Sequence, residues 1–247
     1  MNKKAIIGSI AIIGFILALG IIFLANAREE VDQIRFVGQD ALDLSQKALT
    51  AEKSLLVRDI KARHSFYKAI EELNNNGGLL KADCSAFNEY ALWNSEEIEC
   101  YPENYKDHLI TLFIKNFEFS NYDFSVTENA FIGKAKEKTE ISSSKITYGI
   151  YQHFKIQHDF TYNKVILIAK KIVADCPTST ITKQDCIQSF LDKFNKNHEE
   201  KINLGPCNSK EKDQGPEYRF CILTKNKILD KNSDIVWSDI KFALYIP

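Results

Sequence analysis

Residues 55–78 read LLVRDIKARHSFYKAIEELNNNGG, and this stretch decides how the rest of the chain is parsed. From residue 28 to residue 75 there is no Pro and a single Gly, so nothing local breaks a helix. Apolar residues recur every seven positions at Ile34, Ala41, Ala48, Leu55, Ala62 and Ala69, the spacing of a helical seam. Leu42, Leu49, Leu56 and Ile70 are expected to widen that face. Val37, Leu44 and Ala51 flank it until Arg58 interrupts the row. The run Asn74-Asn75-Asn76-Gly77-Gly78 then stops the helix, because Asn and Gly enter the left-handed conformation that ends helices at little cost. The reading is a stalk helix over 28–76, whose part from Leu55 to Leu73 packs on the chain's own core. Its earlier part offers a seam for self-association or for another envelope protein.

Working back from the stalk, residues 5–25 read AIIGSIAIIGFILALGIIFLA without one charge. A helix needs roughly 20 such residues to cross ~30 Å of hydrocarbon. Lys3 and Lys4 precede the run, and Arg28, Glu29, Glu30 and Asp32 follow it. The basic flank therefore lies on the amino-terminal side, which leaves the carboxyl-terminal part outside. The expected partition is a cytoplasmic stub (1–4), a transmembrane helix (5–25), the stalk helix (28–76) and an extracytoplasmic α+β head (79–247). The lipid bilayer is the partner of residues 5–25. Ala25-Asn26-Ala27 has the small-x-small form of a cleavage site, so secretion after cleavage at Ala27 is the second reading of the same run.

Charge and cysteine usage bear on the compartment. The chain carries 32 Lys and Arg against 33 Asp and Glu; setting aside Lys3 and Lys4 leaves 30 against 33, a net −3 beyond the apolar run. So weak a charge implies no nucleic-acid partner. All six cysteines lie beyond the run, at Cys84, Cys100, Cys176, Cys186, Cys207 and Cys221. An even count in an exported chain points to disulfides, and six cysteines allow 15 connectivities. Their grouping into close couples favours Cys84–Cys100, Cys176–Cys186 and Cys207–Cys221. No Cys/His array with zinc spacing occurs, so neither a metal nor another cofactor is expected.

Forward of Gly78 the pattern mixes helices and strands. Tyr105, Leu109, Leu112 and Phe113 recur at helical spacing after Pro102. Tyr122, Phe124 and Val126 alternate with polar residues, and Phe131, Gly133 and Ala135 form a returning strand. From Ile146 to Phe160 the even positions are mainly apolar, which predicts one long half-buried strand. Residues 163–175, NKVILIAKKIVAD, read as a helix apolar on most sides. Thr182 and Asp185 form a capping pair for a further helix with Ile187, Phe190, Leu191 and Phe194 inward. Strands return at 217–225 and 235–246, where Ile240, Phe242, Leu244 and Ile246 share a face. The sum is an α+β head with an antiparallel sheet of about five strands packed on helices.

Candidate chemistry is sparse. His153, His158 and Asp159 are the residues best placed by type to bind metal or move protons, with His158 and Asp159 the least unlikely catalytic pair. Strand parity works against them, since positions 153 and 158 face opposite ways. There is no G-x-S-x-G elbow, H-E-x-x-H helix or phosphate loop. Phe87, Tyr90, Trp93, Tyr101 and Tyr105 are expected to cover the Cys84–Cys100 bridge as core, the ordinary use of buried rings, with an aromatic surface centred on Tyr90, Trp93 and Tyr101 as the second reading.

HSFYKAIEELNNNGG (64–78), YALWNSEEIECYP (90–102), YRFC (218–221) and IKFALYIP (240–247), together with the basic start and apolar run, resemble a group of single-pass envelope proteins of small-celled archaea. The resemblance implies a membrane-anchored surface protein, and it carries over no activity and no functional residue. More distantly, the layout is similar to type IV pilins, although no Glu opens the apolar run. The sequence thus yields a non-enzymatic surface protein presenting its head for interaction or envelope assembly. An envelope hydrolase acting on surface glycan or peptide, and a pilin-like filament subunit, stand as alternatives.

Overall fold

The computed structural model describes residues 3–80, 84–142, 147–158, 162–178, 182–198, 201–207, 216–223, 227–229, 235–237 and 239–247; for 3–16, 25–38, 227–229 and 235–237 it describes the backbone alone. The fold is α+β. Helix α1 (Lys3–Asn75) is followed by β1 (Ala86–Phe87), β2 (Tyr90–Leu92) and α2 (Tyr105–Asn116). Then come β3 (Tyr122–Val126), β4 (Ala130–Ala135), β5 (Thr139–Ser142), β6 (Thr147–Ile150) and β7 (Phe154–Gln157). Helices α3 (Tyr162–Asp175) and α4 (Lys183–Asn197) precede β8 (Lys201–Leu204), β9 (Glu217–Leu223), β10 (Lys227–Leu229), β11 (Ile235–Trp237) and β12 (Ile240–Tyr245). The chain divides into two compact units, one of residues 1–55 with 139–150, the other of residues 56–138 with 151–247.

In the larger unit the core begins where α1 turns a stripe of small and aromatic residues inward. Ala62, Phe66, Ala69, Ile70 and Leu73 are buried at helical spacing, with α2, α3 and α4 contributing Leu109, Phe113, Val165, Ile172, Ile187 and Leu191 to the same core. The row broken by Arg58 is put to use: its guanidinium stands 4.5 Å over the Phe119 ring and donates to the Tyr122 hydroxyl at 3.1 Å. Leu42, Leu49 and Leu56 do not widen the buried face as the heptad reading expects. They are 67%, 52% and 60% exposed, whereas Ile70 is 1% exposed. All four follow a seam residue by one position, so their place along the helix decides: the part of α1 that joins the core begins at Ala62, which includes Ile70 and leaves the three leucines before it.

The stop after Asn75 is a Schellman motif. The Gly78 N–H donates to the Leu73 carbonyl at 2.8 Å and the Gly77 N–H to the Asn74 carbonyl at 3.1 Å, with Gly77 at φ +60°. The capping pair of α4 is also present, since Thr182 Oγ1 accepts from the Asp185 N–H at 3.2 Å and donates to Asp185 Oδ2 at 2.6 Å.

The five-stranded sheet has the order β1-β2-β12-β9-β8. It is mixed, which corrects the expected antiparallel sheet: β2 runs parallel to β12, and the other pairs are antiparallel. A parallel pair needs a long crossover, and the chain between Leu92 and Ile240 supplies it. A second sheet, β3-β4-β7, is antiparallel, and β5–β6 and β10–β11 are hairpins.

Three further expectations are corrected. The long strand from Ile146 to Phe160 is two strands in two sheets, β6 pairing with β5 and β7 with β4. Gln152 in the break is buried, and its carbonyl accepts from the Tyr122 hydroxyl at 2.8 Å. The 235–246 strand is also two, because β11 pairs with β10 while β12 joins the main sheet. Helix α3 buries one face only, through Tyr162, Val165, Ile166, Ala169 and Ile172, with Leu167 exposed.

The cysteines join as Cys84–Cys100, Cys176–Cys186 and Cys207–Cys221, closing separations of 16, 10 and 14 residues. Loops of this size stabilise a domain by roughly 2–4 kcal/mol each. Among the described residues, no helix is long and apolar enough to cross a membrane. Of the 5–25 run, only the side chains of residues 17–24 are among those described.

Candidate functional site

The aromatic residues singled out by sequence converge on the end of α1, as core. Trp93 is fully buried, stacks at 3.9 Å on Phe242 of β12, and donates its indole N–H to the Gly77 carbonyl at 2.8 Å. A Cβ on Gly77 would lie 2.8 Å from the Lys241 carbonyl oxygen, so the helix end sits directly on β12. Tyr101 packs edge-on against Trp93, with the Lys170 ammonium 4.9 Å over its ring. Burial first, and Glu99 second, push its phenol up to about 12. Tyr105 stacks at 4.9 Å on Tyr162, whose hydroxyl donates to Asn74 Oδ1 at 2.9 Å. Burial raises both phenols, that of Tyr162 strongly.

Tyr90 faces the other side of the sheet with Leu92 and Ala243, and its hydroxyl accepts from the Cys207 N–H at 2.8 Å. Tyr90, Trp93 and Tyr101 therefore form no open aromatic surface. Two are sealed on opposite faces of one sheet, and the third is half-covered.

The histidine candidates are held apart. His158 is buried, its backbone N–H donates to the Asn129 carbonyl, and its ring stacks on Phe66 at 6.1 Å. His153 is exposed, accepts at Nδ1 from the Ala135 N–H at 3.0 Å, and lies parallel to the Tyr151 ring at 5.5 Å. Asp159 lies outside the described residues. His108 sits by the α1 cap with Nδ1 3.0 Å from the Gly78 carbonyl oxygen, and His198 packs on Phe194.

One constellation was not anticipated by sequence. An oxygen of Asp239, Cys207 Sγ and Cys221 Sγ lie within 4.8 Å of one another, the one such group of three ligand-type atoms among the described residues. The two sulfurs are joined as a disulfide and offer no thiolate to a metal. Burial raises the Asp239 carboxyl above its usual range, with Lys241 opposing. The signal that finds it is strand parity: Asp239, Lys241, Ala243 and Tyr245 alternate along β12, and Lys241 stands opposite Cys221 in the β12–β9 register.

No family model, curated protein or solved structure matches the chain. What the site geometry offers is three disulfides, a tightly sealed aromatic core and a carboxylate beside one bridge.

Proposed function

We propose that this chain is a membrane-anchored surface protein whose larger unit is held outside the membrane for interaction or envelope assembly. The observation that carries this reading is residues 17–24, where Leu17, Leu19, Ile21, Ile22, Phe23 and Leu24 are each more than half exposed and occupy every side of the helix. A helix apolar all round needs an apolar solvent, and the uncharged 5–25 run is long enough to be immersed in one. Three disulfides in the larger unit support an oxidising compartment for it. Lys3 and Lys4 before the run, and acidic residues after it, support the amino terminus inside.

Protease added to intact cells tests the topology. Fragments of the larger unit released into the medium are expected. Protection of that unit until the cells are lysed would reject the orientation. Sequencing the mature amino terminus separates an anchored chain starting near Met1 from a secreted one starting at Arg28.

A further inference from the structure

The three disulfides differ in what a thiol would meet. Cys176 and Cys186 are both buried, so steric access alone protects that bridge. In each of the other two one sulfur belongs to a buried residue, Cys84 or Cys221, and its partner, Cys100 or Cys207, is half-buried. Attack from solvent therefore falls on Cys100 or Cys207. Among the described residues, Cys207–Cys221 is the one bridge with an acidic oxygen within 4.8 Å of both its sulfurs, that of Asp239.

Thiol–disulfide exchange is sensitive to such a charge because the nucleophile is an anion. A thiolate attacks Cys207 Sγ, forming a mixed disulfide. The Cys207–Cys221 bond breaks, and its electron pair leaves on Cys221 Sγ, which takes a proton from water. A second thiolate attacks the reagent's sulfur in the mixed disulfide, releasing Cys207 as a thiolate that is protonated in turn. Two external thiols are oxidised to one disulfide as the bridge is reduced. In the first step the negative charge is spread over three sulfurs beside the Asp239 carboxylate. Its field opposes that charge and opposes more strongly any reagent bringing a second negative group.

We propose that Asp239 is an electrostatic gate on the Cys207–Cys221 disulfide, turning away anionic thiols and leaving cationic thiols as its competent exchange partners. Lys241, two positions on from Asp239 and opposite Cys221, is the cation that acts on Asp239 and opposes the effect of burial on its carboxyl. Tyr90 fixes the attacked residue through the hydrogen bond that its hydroxyl accepts from the Cys207 N–H. The gate acts on the chemistry of the bridge and does not depend on how the chain is anchored.

The test is reduction of the full chain at low salt and about pH 8, where carboxylates are charged, with each bridge followed by differential alkylation and peptide mapping. Cysteamine is the cationic probe and mercaptoethanesulfonate the anionic one, their rates compared per thiolate. Cleavage of Cys207–Cys221 is expected to be about tenfold faster with the cationic probe, a ratio set by one unit charge some 5 Å away. Added salt should flatten that ratio. Asp239→Asn should remove it by accelerating the anionic probe, and Asp239→Glu should keep it. Cys84–Cys100 should respond to neither substitution. Equal rates for the two probes in the unaltered protein would overturn the proposal, and this arm requires no variant to fold. Equal acceleration of both probes by Asp239→Asn, or faster cleavage of Cys84–Cys100 as well, would overturn it by showing loosening in place of a field.

Discussion

The indole N–H of Trp93 donates to the carbonyl oxygen of Gly77 at 2.8 Å, so one hydrogen bond ties strand β2 to the turn that ends α1. The same ring stacks on Phe242 of β12. Trp93→Phe keeps an aromatic ring there but deletes the donor and part of the buried indole. It is expected to cost at least about 1–3 kcal/mol, the penalty for taking a partner from a buried carbonyl, with the cavity adding to it. Gly77→Ala should cost at least as much, because φ is +60° and the new Cβ meets the Lys241 carbonyl at 2.8 Å. Urea unfolding of both variants measures this. Unaltered midpoints would show that the α1 end is not fastened by this contact.

Gly133 of β4 stands opposite Phe154 of β7, and a Cβ at 133 would lie 2.3 Å from Phe154 Cζ. The ring occupies the space that a side chain would need. Gly133→Ala should therefore destabilise by about 1–3 kcal/mol through overpacking. Phe154→Leu is expected to recover part of that loss in the double variant, giving a favourable coupling in a double-mutant cycle. Strict additivity would deny the contact.

Leu56 and Ile70, two heptads apart, lie on one side of α1 and differ in what covers them, Leu56 being 60% and Ile70 1% exposed. Ile70→Asp buries an unpaired carboxylate in the core and should abolish the cooperative thermal transition. Leu56→Asp places its charge in solvent, and a change within about 0.5 kcal/mol is expected. Circular dichroism melting of both variants distinguishes them. Comparable losses would mean that Leu56 is covered in solution.

What the sequence revealed and what it hid follow from the range of the forces involved. The stop at Gly77-Gly78, the cap at Thr182 and the three local disulfides are short-range events with their partners a few residues away, and all were legible. The burial of Ile240, Phe242, Leu244 and Ile246 was legible too, since parity needs no partner. Pairing was not. Nothing local says that β12 takes β2 as a parallel neighbour, or that the chain changes sheets at Gln152, because those choices depend on residues more than a hundred positions away or on a packing gap. The aromatic residues Tyr90 and Trp93 were legible as core but not as lying on opposite faces of one sheet. Asp239 escaped notice because its significance lies in two sulfurs brought to it by β9 and by the turn after β8.

Thr182 gives a test of local wiring. Its hydroxyl satisfies the Asp185 N–H at the open end of α4. Thr182→Ala is expected to lower stability by about 1 kcal/mol, and Thr182→Ser by much less, since serine keeps the acceptor. Chemical denaturation resolves the pair. Equal effects would shift the cause from the cap to the lost methyl.

The last prediction concerns alkali. Tyr101 is pushed up to about 12 by burial and Glu99, and Tyr105 and Tyr162 are raised above the ordinary 10.0, burial being the largest cause in each. In the unfolded chain these phenols release protons around 10, whereas in the folded chain they hold them to higher pH. Between those limits the unfolded state binds fewer protons, so stability is present in full below pH 10 and falls as pH rises through the window towards 12. In the folded protein the phenolates of Tyr101, Tyr105 and Tyr162 should accordingly appear late, together with unfolding. Tyr101→Phe should remove one late-ionising phenol and make stability less steep in alkali, while the packing on Trp93 is kept by the ring. If all ten tyrosines titrated in one step near 10 with the fold intact, the sealed aromatic cluster at the end of α1 would have to be open to water.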